Sequence, residues 1–158
     1  MRRIVSGGQS GVDRAALDVA RDLGIQYGGW CPAGGWAEDL VTPPGLLSRY
    51  PLLTETPSTD PAERTTWNVR DSDATLVVSP GPVSGGTALT THTAASLGRP
   101  LLVTAGDDID TVVAWLRAVP PGATLNVAGP RHSEWADGYR VTRALLERAL
   151  TPWAVPRA

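Results

Sequence analysis

The chain has few of the residues that cross-link small proteins. Its 158 residues include one cysteine, Cys31, and two histidines. A single cysteine excludes an internal disulfide framework, and so few soft ligands argue against a structural zinc site. A domain of this length can bury about 70% of the surface of its unfolded chain, so its hydrophobic core can stabilise it without such links. We therefore expect a protein of a reducing compartment.

The chain also lacks a surplus of charge of one sign and any long hydrophobic run. Its formal net charge is -2 and its pI is about 5.6, with acidic and basic residues interspersed. This pattern argues against binding to nucleic acid or to an anionic membrane. No window approaches the ~18 apolar residues of a membrane span, and the apolar run at 4–5 is too short for a signal peptide. We expect a cytoplasmic protein with a small-molecule partner.

Strand-type apolar runs alternate with helical patterns along the chain. This alternation predicts an α/β, three-layer Rossmann-like fold with a mainly parallel sheet in a single domain, residues 1–150, followed by a C-terminal tail, 151–158. The predicted strands are 3–6, 25–30, 52–53, 74–78, 100–104 and 125–128. The predicted helices are 11–23, 61–72, one ending near 97, one from 107 or 108 to 119, and a last one with its apolar face at 142–150.

A Pro/Gly-rich stretch at 31–45 separates the second predicted strand from the third. We interpret it as a long surface loop. Because long loops in compact domains are usually functional or mobile, it is either a candidate lid over a site or a poorly ordered connection.

Two glycine turns follow predicted strands and lead into helices, at SGGQSG (6–11) and SPGPVSGGT (79–87). The free N–H groups and positive dipole of a helix N-terminus attract anions, and glycine lets the backbone approach them closely. If the first and fourth strands are neighbours, both turns face one crevice at the carboxyl edge of the sheet, where ligands bind in such folds. The predicted phosphate contacts are Gly7, Gly8, Gln9, Ser10, Gly11, Ser84, Gly85, Gly86 and Thr87.

Neither turn ends in the Gly-Lys-Ser/Thr of a P-loop, which favours holding a phosphate over transferring it. We expect Asn68, Asp73 and Arg131 to bind the rest of the ligand. The candidates for catalysis are Asp13, Arg64 and Asp73. Asp13 either stabilises its helix through the dipole or binds Mg²⁺ or a ribose hydroxyl.

Several residues have two interpretations. His92 is either a partly buried helix residue, which we favour, or a base in the crevice. Cys31 is either a small hydrophobic residue or a soft ligand. Four tryptophans near loops either pack in the core or at a subunit interface, or stack on a ligand ring: Trp30, Trp36, Trp67 and Trp135.

Five blocks of the chain resemble, in order, the signature blocks of the putative molybdenum cofactor carrier family. They are GGQSGVDRAALD, GGWCPAGGWAED, TETPSTDPAERTTWNVRDSDATLVV, GPVSGGTALT and NVAGPR. This family belongs to a Rossmann-like group with the LOG-type phosphoribohydrolases and the DNA-processing protein DprA. The resemblance implies a nucleotide-binding fold, binding of a pterin-based molybdenum cofactor by some members, and a homo-oligomer, as a dimer or tetramer.

Comparison with the LOG-type enzymes bears on catalysis. Those enzymes pair an arginine, nine residues before an aspartate, with a glutamate after their second glycine turn. Arg64 and Asp73 keep the arginine spacing, but Thr90 stands where the glutamate would be, and His92 where the carriers tend to have one. Loss of that carboxylate disfavours hydrolysis of a glycosidic bond. The sequence therefore predicts a cytoplasmic carrier of a phosphate-bearing, nucleotide-like ligand, molybdenum cofactor or a nucleotide. The alternatives are a nucleotide hydrolase, with Mg²⁺ at Asp13, and a nucleotide-sensing module.

Overall fold

The computed structural model of the protein describes residues 1–156, which form a three-layer α/β fold around one parallel sheet. The strands are β1 (Arg3–Val5), β2 (Gln26–Cys31), β3 (Leu53–Glu55), β4 (Ala74–Val78), β5 (Leu101–Thr104) and β6 (Thr124–Ala128). The helices are α1 (Val12–Asp22), α2 (Leu46–Arg49), α3 (Pro61–Arg70), α4 (Gly85–Ser96), α5 (Ile109–Ala118) and α6 (Gly138–Leu150). The predicted fold class is confirmed.

The main core lies between the sheet and the layer of α1, α5 and α6. Every residue of β4 is buried, as its continuous apolar run predicts for a central parallel strand. Leu76 and Val78 of that strand belong to the same cluster as Leu146 and Leu150 of α6. On the other side of the sheet, α3 and α4 pack against each other.

The first and fourth strands are not direct neighbours in the sheet. The order is β3-β2-β1-β6-β4-β5, with all strand pairs parallel. On one side of β1 lie β2 and then β3. On its other side lie β6, β4 and β5, so β6 inserts between β1 and β4. Three strand ends, those of β1, β6 and β4, therefore lie side by side at the carboxyl edge.

The stretch 31–45 is packed against the domain. It contains a 3-10 turn at Ala33–Gly35 and a bridge between Ala37 and Leu40. Ala37 is fully buried in a second core cluster, together with Leu17, Cys31, Leu46, Tyr50 and Leu53. The interpretation as a poorly ordered connection is therefore wrong, because the stretch supplies part of a core.

Local signals place the helix starts. The Asp60 carboxylate accepts a hydrogen bond from the Ala62 N–H at 2.9 Å, and Asp108 accepts one from the Thr111 N–H at 3.0 Å. Both are N-cap bonds that satisfy free donors of the first helical turn. They fix the starts of α3 and α5 where the sequence predicts them.

The predicted tail is partly docked on the domain. Thr151–Trp153 form a 3-10 turn, and the Val155 N–H donates to the Leu23 carbonyl at 2.8 Å. Residues 157 and 158 of that tail lie outside the described residues. Within residues 1–156, none of the helices combines the length and apolar character needed to cross a membrane.

Candidate functional site

A cavity of about 410 Å³ opens at the carboxyl edge of the sheet, where β1, β6 and β4 end. Its walls come from the first glycine turn, α3, the N-terminus of α4 and the segment after β6. It brings together nine of the predicted site residues: Gly7, Gln9, Asp13, Arg64, Asn68, Gly85, Gly86, Thr87 and Arg131. Both glycine turns thus reach one crevice, although β6 separates their strands.

An ion pair between Asp13 and Arg64 lies in the wall of this cavity. The Arg64 Nη1 is 3.1 Å from the Asp13 Oδ2, and the two residues are 8% and 6% exposed. Burial raises the pKa of Asp13, and the Arg64 charge and the Gln9 N–H oppose that rise. The buried Arg64 Nε has no hydrogen-bond partner within residues 1–156. Since a buried donor without a partner is costly, this nitrogen is an unsatisfied hydrogen-bond donor in a residue that lines the cavity.

Gly7 makes room for that arginine. A Cβ at position 7 would overlap the Arg64 guanidinium and touch the Asp13 carboxylate. The glycine is therefore required by the close approach of a side chain of this protein. Its contribution to the site is indirect, through the position of Arg64.

Gly8, Ser10 and Gly11 of the first glycine turn pack against other parts of the protein. A Cβ on Gly8 would meet Leu46 and Leu53, and one on Gly11 would meet the backbone of 130–132. The Ser10 N–H donates to the Gln9 Oε1 at 3.0 Å, and the Ser10 hydroxyl donates to Glu38. Gly8, Ser10 and Gly11 therefore lie outside the cavity, and the predicted row of free amides along 7–11 is not formed.

The second glycine turn is open. Gly85 and Gly86 are exposed, and a Cβ on either would meet no atom within 4 Å. Ser84 is the N-cap of α4 but makes no side-chain capping bond, and it lines a neighbouring hollow of about 150 Å³. Thr87 is buried and lines both spaces. The N-terminus of α4 thus presents free donors and a positive dipole end to the cavity.

Asn68 and Asp73 have structural partners. The Asn68 Oδ1 accepts from the Trp30 N–H at 2.8 Å, and its Nδ2 donates to the Trp30 carbonyl at 2.9 Å. Asn68 therefore ties α3 to β2 although it lines the cavity. Asp73 precedes β4, at the opposite edge of the sheet, where its Oδ2 accepts from the Thr124 N–H at 2.8 Å. The structure thus removes Asp73 from this site.

Arg131 forms the rim of the cavity. Its Nε lies 3.1 Å from the Glu134 Oε1 and 3.6 Å from the Glu38 Oε2, and its side chain is 44% exposed. Glu134 and Asn126 also line the cavity and are not among the site residues predicted from the sequence. Asn126 could have been found, because a polar residue inside the last strand is unusual for a strand buried on both faces.

The structure shows the surroundings of His92 and Cys31, each of which has two interpretations from the sequence. His92 is exposed on α4, so the expected partial burial is wrong. Cys31 is fully buried in the second core cluster, and burial raises the pKa of its thiol to about 11. No group of three or more His, Cys, Asp or Glu residues within residues 1–156 is placed to hold a metal ion. The counter-ion of Asp13 here is Arg64.

Comparisons with known proteins agree with the resemblance in the sequence. The family model described as "Circularly permutated YpsA SLOG family" matches residues 4–150. The crystal structure of a putative molybdenum carrier protein from Syntrophus aciditrophicus SB superposes with a TM-score of 0.84 and 38% sequence identity, over 95% of each chain. No curated protein matches this sequence. Because the family model spans nearly the whole domain, the chain belongs to the circularly permuted YpsA SLOG family.

Proposed function

We propose that this protein is a carrier that binds a phosphate-bearing, nucleotide-like ligand in the 410 Å³ cavity. The observation that supports it most is the Arg64 guanidinium, buried beside the cavity with its Nε unpartnered, on the same cavity as the open N-terminus of α4. An arginine and a helix N-terminus are the two common ways to bind a phosphate, and here they converge.

The charges of the cavity favour binding over transfer. Arg64 is paired with Asp13, and Arg131 with Glu134, so neither arginine is a free charge for a leaving phosphate. The donors that remain open, the amides of Gly85 and Gly86, are neutral, and the Arg64 charge is compensated by Asp13. Such donors hold an anion in place without strongly polarising it.

Molybdenum cofactor is a candidate cargo because of the structural neighbour described as a molybdenum carrier. The phosphate of a pterin-based cofactor fits the donors of Arg64 and α4. The cavity has no cluster of thiol, imidazole and carboxylate ligands within residues 1–156 for a bare metal ion. We therefore propose that the protein binds the organic, phosphate-bearing part of the cargo, with the metal carried on it.

Titration calorimetry tests this proposal. Inorganic pyrophosphate, GMP and purified molybdenum cofactor are titrated into the protein and into Arg64→Met and Gly86→Asp variants. We expect binding of at least one phosphate compound, weakened at least tenfold in both variants. Arg70→Met is the matched control, because Arg70 lies on the same helix but pairs with the exposed Asp71.

Native mass spectrometry of freshly purified protein adds the subunit number, which we propose to be two or four, and any co-purified ligand. Absence of binding by all three compounds to the folded protein would contradict the proposed function. Equal affinity in the wild type and both cavity variants would show that binding occurs elsewhere.

A nucleotide hydrolase is the second candidate, and one observation favours it. Asp13 is a buried carboxyl group with a raised pKa in a cavity, as in many general acids. Its test is incubation of a nucleotide panel with Mg²⁺ and chromatography of the products. Turnover that is abolished in a folded Asp13→Asn variant would replace the carrier proposal.

A further inference from the structure

Trp36 differs from the other five tryptophans in its surroundings. Trp115, Trp135 and Trp153 pack against the main core, and Trp30 and Trp67 form an edge-to-face pair with ring centroids 4.8 Å apart. Within residues 1–156, Trp36 belongs to neither core cluster and has no aromatic ring partner. It is half-buried and lines the 410 Å³ cavity. A large aromatic ring at a cavity wall, without a packing role in the core, is available to a ligand.

The backbone on both sides of Trp36 is fixed. Before it, the Gly34 N–H donates to the Glu55 Oε1 at 2.6 Å, and the Gly35 N–H donates to the Pro32 carbonyl at 2.9 Å. After it, the Glu38 N–H donates to the Gln9 Oε1 at 2.9 Å. The ring is thus carried by a rigid segment, so little conformational entropy is lost when a ligand contacts it.

Two carboxylates anchor the same segment. Asp39 forms a two-pronged ion pair with Arg14, with both N–O distances at 2.9 Å. The Glu38 carboxylate accepts hydrogen bonds from the Ser10 and Ser133 side chains at 2.5 and 2.6 Å. These bonds hold the segment between the first glycine turn and the segment after β6, which are two walls of the cavity.

The cavity also has apolar surface besides Trp36. Pro61 and Ala62 at the start of α3 and Leu89 on α4 line it, together with the polar donors of Arg64 and the α4 N-terminus. A cavity with an anion-binding part and an aromatic wall fits a ligand that has a phosphate and a flat ring.

We infer that Trp36 determines the specificity of this site by stacking on the planar heterocyclic ring of the ligand, a bicyclic purine or pterin, while Arg64 and α4 bind the phosphate. The inference rests on the proposed function. It adds the residue that selects the ligand: Trp36 favours a bicyclic heteroaromatic phosphate over a sugar phosphate or an inorganic anion.

The test compares ligands with and without a ring. GMP and neopterin monophosphate represent purine and pterin, and ribose 5-phosphate has a sugar and a phosphate but no heterocyclic ring. Base–aromatic stacking of ~1–3 kcal/mol corresponds to roughly 5- to 150-fold in affinity. We expect the ring compounds to bind the wild type more tightly than ribose 5-phosphate by a factor in this range. Trp36→Leu should remove that advantage and leave ribose 5-phosphate affinity unchanged, whereas Trp36→Phe should keep most of it.

Trp67→Leu is the control, since Trp67 lies outside the cavity on α3 and should leave every affinity unchanged. Equal loss for ribose 5-phosphate and GMP in Trp36→Leu would overturn the inference, because Trp36 would then support the site as a whole. If the wild type binds the ring compounds no more tightly than ribose 5-phosphate, the inference is also overturned. In that case the observed phosphate binding still supports the proposed function. If none of the probes binds, the inference about Trp36 and the proposed function are both contradicted. The ring compound with the larger advantage identifies the ligand as purine or pterin.

Discussion

Replacement of Arg64 by methionine should destabilise the protein strongly, because it leaves the Asp13 carboxylate buried without its counter-charge. The two residues are 8% and 6% exposed and 3.1 Å apart. Breaking such a pair by removal of one partner typically costs ~3–5 kcal/mol, out of a total stability of roughly 5–15 kcal/mol. At ~2–4 °C per kcal/mol for a chain of this size, the Tm should fall by about 6–20 °C.

The loss of stability in Arg64→Met should depend on pH, and the pKa of Asp13 determines the direction of that dependence. Burial raises that pKa above its usual 3.8, and the Arg64 charge opposes the rise. Without Arg64 the pKa rises further. The native state then keeps a proton that the unfolded chain releases, so stability falls as pH rises from 3.8 to the folded pKa. The free energy of unfolding of Arg64→Met should therefore be closer to that of the wild type at pH 5 than at pH 8.

Urea unfolding followed by tryptophan fluorescence measures both effects. The double variant Asp13→Asn/Arg64→Met has no buried charge at this place and should recover most of the stability at pH 8. A loss below about 0.5 kcal/mol in Arg64→Met at pH 8, which is the range of an ordinary surface substitution, would refute the reasoning. A double variant that is no more stable than Arg64→Met at pH 8 would refute it as well.

Three further predictions concern the surroundings of the site. Glu38→Ala should speed amide exchange in 33–45 at pH 7, whereas Glu63→Ala should not. In the wild type, hydrogen bonds from Ser10 and Ser133 lower the pKa of Glu38 below 4.5 despite its partial burial, so this anchoring is present above pH 4.5 and is lost as pH falls through the lowered pKa. Cys31, with a pKa of about 11, should resist iodoacetamide at pH 8 in the folded protein and react in urea, by mass spectrometry. Asp73→Ala should cost about 1 kcal/mol for one lost hydrogen bond and leave GMP affinity unchanged by calorimetry.

The elements of the fold were predictable because their signals are local. Asp60 followed by Pro61 marks the start of α3, and the run 74–78 marks a strand buried on both faces. Both depend on the residues themselves and their immediate neighbours. The α/β class followed from the alternation of these elements.

The strand order was not predictable in the same way. The run 124–128 indicates a buried strand, but its place between β1 and β4 is decided by packing across the whole sheet. Asp73 was selected by its spacing from Arg64, although a residue that precedes a parallel strand must lie at the amino edge. The partners of Asp13 and Asn68 are likewise tertiary, 51 and 38 residues away in sequence.

The two glycine turns are alike in sequence but have different physical roles. In the first, the lack of side chains serves the protein's own packing: Gly7 admits the Arg64 guanidinium, Gly8 packs on Leu46 and Leu53, and Gly11 meets the backbone after β6. In the second, the space beside Gly85 and Gly86 is open. In the proposed site, the charge that a P-loop lysine would supply comes instead from Arg64 on α3, which Gly7 admits and which pairs with Asp13. In that proposed site the first turn positions the cation and the second leaves room for the anion, so a substitution in the first should change stability and binding together. A substitution of Gly86 in the second should change binding alone, because a side chain there meets no atom within 4 Å.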